Sequence, residues 1–101
     1  MPILRVTTLS GDPADMARRY DVVNERMRAG GVTPPMLAHA AWEEEGHFQV
    51  ANVWASEEDA NNANARPEFV AALESAGISL DAAEMEQTEL HNFFAQAYGL
   101  S

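Results

Sequence analysis

The residues best suited to proton transfer in this 101-residue chain are its three histidines, and one of them, His39, falls where a hairpin would set it beside an amide. Residues 36–44 and 47–56 read as two strands around a Glu45-Gly46 tip. With a two-residue loop, Glu44 lies opposite His47, Trp42 opposite Gln49, His39 opposite Asn52 and Leu37 opposite Trp54. His39 then has the position of a general base. Asn52 can donate a hydrogen bond to a developing oxyanion, and Trp54, next along the same face, can stack on a ring. An activated phenol or β-dicarbonyl compound suits that set, because its carbanion can react with oxygen directly, cyclise or isomerise without a cofactor. The plain alternative is that His39 and Asn52 satisfy each other in a half-buried sheet while Trp54 is core.

His91 is a second catalytic candidate, because a histidine near the end of the last strand can border the same cavity, with Asn92 and Tyr20 assigned to the pocket wall. Its alternative role is to fix the aromatic tail around Phe93-Phe94. His47 belongs to the exposed hairpin tip. A metal held by His39, His91 and Glu89 has no diagnostic spacing, so no metal and no cofactor is expected. The acidic runs 43–45 and 57–59 read as solvated charge, the second suiting a helix N-terminus, and Asn61, Asn62 and Asn64 as exposed or at a cavity entrance.

Composition removes whole classes of chemistry. The absence of cysteine excludes disulfides, thiolate ligands and thiol nucleophiles, and the absence of lysine excludes Schiff bases and a P-loop lysine. Sixteen acids against six arginines give a formal charge of −10, which repels nucleic acid and anionic membrane surfaces. No stretch resembles a membrane span, a secretory signal, a GxSxG elbow or a glycine-rich phosphate loop, and a cytoplasmic protein is expected.

The elements that must position these residues follow from pattern. Residues 3–9, ILRVTTL, form the first strand, stopped by Ser10-Gly11. Asp12 caps a helix with Pro13 in its first turn and Met16, Tyr20, Val23 and Met27 along its apolar stripe, ending at Gly30-Gly31. Residues 32–35 link it to the hairpin, one face of which carries Leu37, His39, Ala41, Phe48, Val50, Asn52 and Trp54, the other Ala38, Ala40, Trp42, Gln49, Ala51 and Val53. A second helix starts at Ser56, breaks at Arg66-Pro67 and ends at Gly77; residues 83–94 are the last strand.

The order βαββαβ in one domain over residues 1–101 defines an α+β, ferredoxin-like fold with an antiparallel sheet. Helices cover one sheet face only. The other is also largely apolar, and pairing with a second copy buries it, so a homodimer is expected.

The run Asn52-Val53-Trp54-Ala55-Ser56-Glu57-Glu58, followed by Pro67 and Phe69, resembles the strand-to-helix junction of the dimeric α/β-barrel superfamily, which includes the antibiotic biosynthesis monooxygenase-like group. The layout matches over nearly the whole chain. Two polar features of the group differ: Ala63 stands where a histidine is usual, nine positions after Trp54, and Asn52 where an acid is common. Residues 36–39, 53–56 and 91–94 are closer to a smaller branch of the superfamily. The resemblance implies a homodimeric small-molecule-binding protein, a cofactor-independent monooxygenase, cyclase or isomerase acting on an aromatic or polyketide-like metabolite. The competing expectation is a non-catalytic binding or assembly module.

Overall fold

The computed structural model describes residues 1–31 and 36–94. The linker 32–35 and the tail beyond residue 94 lie outside the described residues. The chain forms β1 (Ile3–Leu9), α1 (Pro13–Ala29), β2 (Met36–Glu44), β3 (His47–Trp54), α2 (Glu57–Asn64), α3 (Pro67–Ala76), a short 3₁₀ turn at Leu80–Ala82 and β4 (Glu84–Glu89). The sheet has the order β2-β3-β1-β4 and every neighbouring pair is antiparallel. This is the ferredoxin-like α+β arrangement. Each central strand is therefore paired to a partner distant in sequence.

Helix ends follow local chemistry. The Asp12 carboxylate accepts from the amide of Asp15 at 3.0 Å, and Ser56 Oγ accepts from that of Asp59 at 3.1 Å. At the end of α3, Gly77 has φ 73°, and Ile78 N donates to Leu73 O at 3.0 Å. That left-handed turn is easily adopted by glycine. Arg19 of α1 ties the turn down, its Nη1 donating to Gly77 O at 2.8 Å while its Nε holds Asp15 at 2.9 Å.

The β2–β3 hairpin has the expected two-residue loop. Glu45 and Gly46 take φ 51° and 79°, the double left-handed turn that fits strand twist, and Glu44 pairs with His47. Register is as expected back through His39 opposite Asn52 to Ala38 opposite Val53, and then shifts: Met36, not Leu37, meets Trp54. A bulge inserts one residue on β2, so Met36 packs against the Trp54 cluster and Leu37 is exposed, correcting its expected place on the inner face.

The last strand is shorter than residues 83–94. It pairs with β1 only to Ile3↔Glu89. Pro2 accepts one further bond, from Leu90 N at 2.8 Å, but has no N–H to return, so the ladder stops there.

Helices α1 and α3 lie over the sheet face of Leu9, Phe48 and Val50, where Met16, Val23, Ala72 and Ile78 complete one buried cluster. Ile3, Trp54, Ala60 and Ala63 form a second, with α2. The opposite sheet face carries Leu4, Val6, Trp42, Ala51 and Val53, with Glu84 and Glu86 on the β4 side. Among the described residues, no helix is long and apolar enough to cross a membrane.

Candidate functional site

Alternation along four strands sets one residue from each on the same rung of the helix-covered face. His39 pairs with Asn52, Asn52 with Arg5 and Arg5 with Gln87, so a polar row runs across the whole sheet. The flanking rungs are less polar toward β2 and β3: Met36, Trp54 and Ile3, ending at Glu89 on β4, on one side, and Ala41, Val50, Thr7 and Met85 on the other. Strand spacing of about 4.8 Å makes the row roughly 14 Å long.

Tyr20 comes down on the row from α1, placed by the same stripe that buries Met16 and Val23. Its ring lies nearly parallel to the His39 ring, with centroids 5.7 Å apart, and packs at a tilt on Phe48. The hydrogen bonds fix the imidazole. Asn52 Oδ1, which can only accept, lies 2.5 Å from His39 Nδ1, so Nδ1 carries the proton and donates. In the neutral ring Nε2 is then the acceptor, and it receives the Tyr20 hydroxyl. The result is a hydrogen-bonded chain from Tyr20 through His39 to Asn52, in which the amide orients the imidazole. The Asn52 amide NH₂ makes no hydrogen bond among the described residues and remains available to an oxyanion.

A partly open cavity of about 600 Å³ lies between this row and the helices. His39, Asn52, Trp54 and Tyr20 all line it. Trp54 is also 2% exposed and packed on Ala60 and Ala63, so it is at once core and pocket wall. His91 and Asn92 are not part of this assembly: they lie exposed in the segment after β4, and neither lines the cavity. His47 is exposed at the hairpin, its Nδ1 3.2 Å from Glu45 O. Among the described residues, no three His, Asp or Glu side chains gather as metal ligands, so the His39–His91–Glu89 set is not assembled.

Sequence reasoning missed Arg5. It is the buried charged residue of the sheet, 7% exposed, with Nε donating to Gln87 Oε1 at 2.7 Å and Nη2 to Asn61 Oδ1 at 2.8 Å. The signal was present, since Arg5 shares strand parity with the inward Ile3 and Leu9. The asparagines of α2 divide, Asn64 lining the cavity and Asn61 holding Arg5.

No protein-family profile and no curated protein matches the chain. Solved structures do. A candidate antibiotic biosynthesis monooxygenase from Caulobacter crescentus CB15 superposes with a TM-score of 0.67 at 23% identity, over 90% of this chain and 91% of that one. SnoaB, a cofactor-independent oxygenase from Streptomyces nogalater, gives 0.61 at 15% identity over 94% and 96%. A candidate monooxygenase of the same kind from Chloroflexus aurantiacus gives 0.69 at 14% over 94% and 98%. The chain shares the fold of these solved structures.

Proposed function

We propose that this chain is a homodimeric small-molecule-binding protein whose cavity removes a proton from an activated aromatic or polyketide-like compound without a cofactor. The observation that carries the reading is the Tyr20–His39–Asn52 hydrogen-bonded chain on the wall of a cavity of about 600 Å³, within the size range of small-molecule sites. Proton removal proceeds through Tyr20: the substrate proton passes to the phenol oxygen as the phenol proton passes to His39 Nε2, and Asn52 Oδ1 holds the imidazolium that forms. The Asn52 amide donates to the enolate or phenolate oxygen. With dioxygen as co-reactant, a phenol C–H becomes a quinone carbonyl with release of one water; without it, the same carbanion cyclises or isomerises. Likeness of fold to SnoaB favours the first course.

The uncovered sheet face supports dimerisation: Leu4, Val6, Ala51 and Trp42 make an apolar strip, bordered by the Thr8–Gln49 pair and by Glu84 and Glu86, that a second copy would cover by two-fold pairing. The test uses 1,3-dihydroxynaphthalene, following deuterium exchange at its activated carbon and, separately, oxygen uptake. Enzyme-dependent exchange that disappears in His39→Ala supports the reading; no exchange and no uptake overturns it. One observation favours a non-catalytic module instead: both ring nitrogens of His39 already have partners. In that case His39→Ala lowers the melting temperature markedly, whereas an exposed catalytic imidazole leaves it nearly unchanged.

A further inference from the structure

The charge around the cavity is opposite to the charge of the chain. Sixteen acids and six arginines give −10 overall, yet the cavity wall includes Arg5, Arg28 and Arg66 and, among the described residues, no aspartate or glutamate, although Arg66 has Glu68 at 4.0 Å outside the wall. Arg5 is the most unusual of the three. A guanidinium buried this far is costly unless neutralised, and such groups are ordinarily paired with a carboxylate. Here its protein partners are two neutral amides, Gln87 and Asn61, bound through Nε and Nη2. Nη1 has no hydrogen-bond partner among the described residues, and Arg5 lines the cavity. Two amides thus hold a positive charge at the cavity wall without cancelling it. It lies directly across from Asn52, one strand away, and two strands from His39.

We propose that the ligand of this cavity carries a carboxylate, which seats on the Arg5 guanidinium while the aromatic body lies along the row toward Asn52 and His39. The proposal rests on the small-molecule reading above and narrows its substrate class to aromatic or polyketide acids. Guanidinium geometry favours carboxylates through paired, charge-assisted hydrogen bonds. The apolar side chains of Trp54 and Val50, one rung to either side of Asn52, flank the body of the ligand. Overall charge works against an anion, so any preference for one must come from local positive charge, chiefly that of Arg5, since Arg66 already has Glu68 beside it.

The test compares 2-naphthoate with 2-naphthamide, matched in size and shape, by calorimetric titration of the intact protein. Naphthoate should bind at least tenfold more tightly, and added sodium chloride should erode that advantage while leaving naphthamide unaffected. Asn61→Asp supplies the decisive variant. Asn61 is exposed on α2 with its Oδ1 on Arg5 Nη2, so an aspartate there neutralises the guanidinium in place without disturbing the core. The tenfold preference should collapse to near unity in N61D, with naphthamide affinity and melting temperature retained or raised. Equal binding of both probes to the unaltered protein overturns the carboxylate proposal alone, as does a preference that survives N61D. Binding of neither probe overturns the small-molecule reading along with it.

Discussion

The Tyr20 hydroxyl on α1 donates to Nε2 of His39 on β2, joining the first helix to the edge strand of the sheet. The base of the proposed reaction therefore has no free nitrogen facing the cavity. In the proposed reaction a substrate proton would pass through the phenol, which makes the tyrosine the group expected to meet the reacting carbon.

Tyr20→Phe separates this arrangement from direct attack by His39. The phenylalanine ring keeps the packing on Phe48, where centroids are 5.3 Å apart, so unfolding free energy should change by about 1 kcal/mol or less. Proton exchange from 1,3-dihydroxynaphthalene should fall by about 10²-fold or more. Undiminished exchange would assign the base to His39 alone.

Asn52→Asp divides the two tasks of the amide. Its carboxylate still accepts from His39 Nδ1, at the position where Oδ1 now lies 2.5 Å away, but it has no NH₂ group to offer an oxyanion. A fall in exchange rate with melting temperature preserved is expected from steady-state and thermal measurements. The introduced charge also faces Arg5 across the strand pair, so naphthoate affinity should drop together with the rate.

Ala51→Glu addresses the assembly. Ala51 lies at mid-strand on the sheet face away from the helices, opposite Val6 on β1 and Ala40 on β2. Placing a carboxylate in the middle of a dry two-fold contact brings two charges together, and sedimentation should report a monomer. The unaltered chain should sediment as a dimer; a monomer at micromolar concentration would remove the homodimer from the proposal.

Gly77→Ala probes the turn that closes α3. A left-handed φ of 73° costs a non-glycine residue about 1–2 kcal/mol, and the new methyl would also collide with Nη1 of Arg19. Chemical denaturation should show a loss at least that large. Arg19→Ala should recover part of it in the double variant by removing the collision.

Local chemistry alone determined a large part of this protein. Asp12, Pro13 and Ser56 start helices through their own backbone preferences, and Glu45-Gly46 sets a two-residue hairpin, so the pairing of His39 with Asn52 was legible from residues 39–52 alone. Alternation also told which side chains share a face, up to the bulge at Leu37, which no pattern of apolar residues announces. Arg5 and Gln87 are different. Their place on the rung of His39 and Asn52 depends on β1 entering between β3 and β4, pairings between segments far apart in the chain that leave no mark in any short window. Tyr20 likewise showed its helical stripe but not its partner, because the packing of α1 on the sheet decides which strand residue its hydroxyl reaches. Strand and turn preferences act between neighbours, whereas the charge and hydrogen bonds of the cavity arise only where distant segments meet.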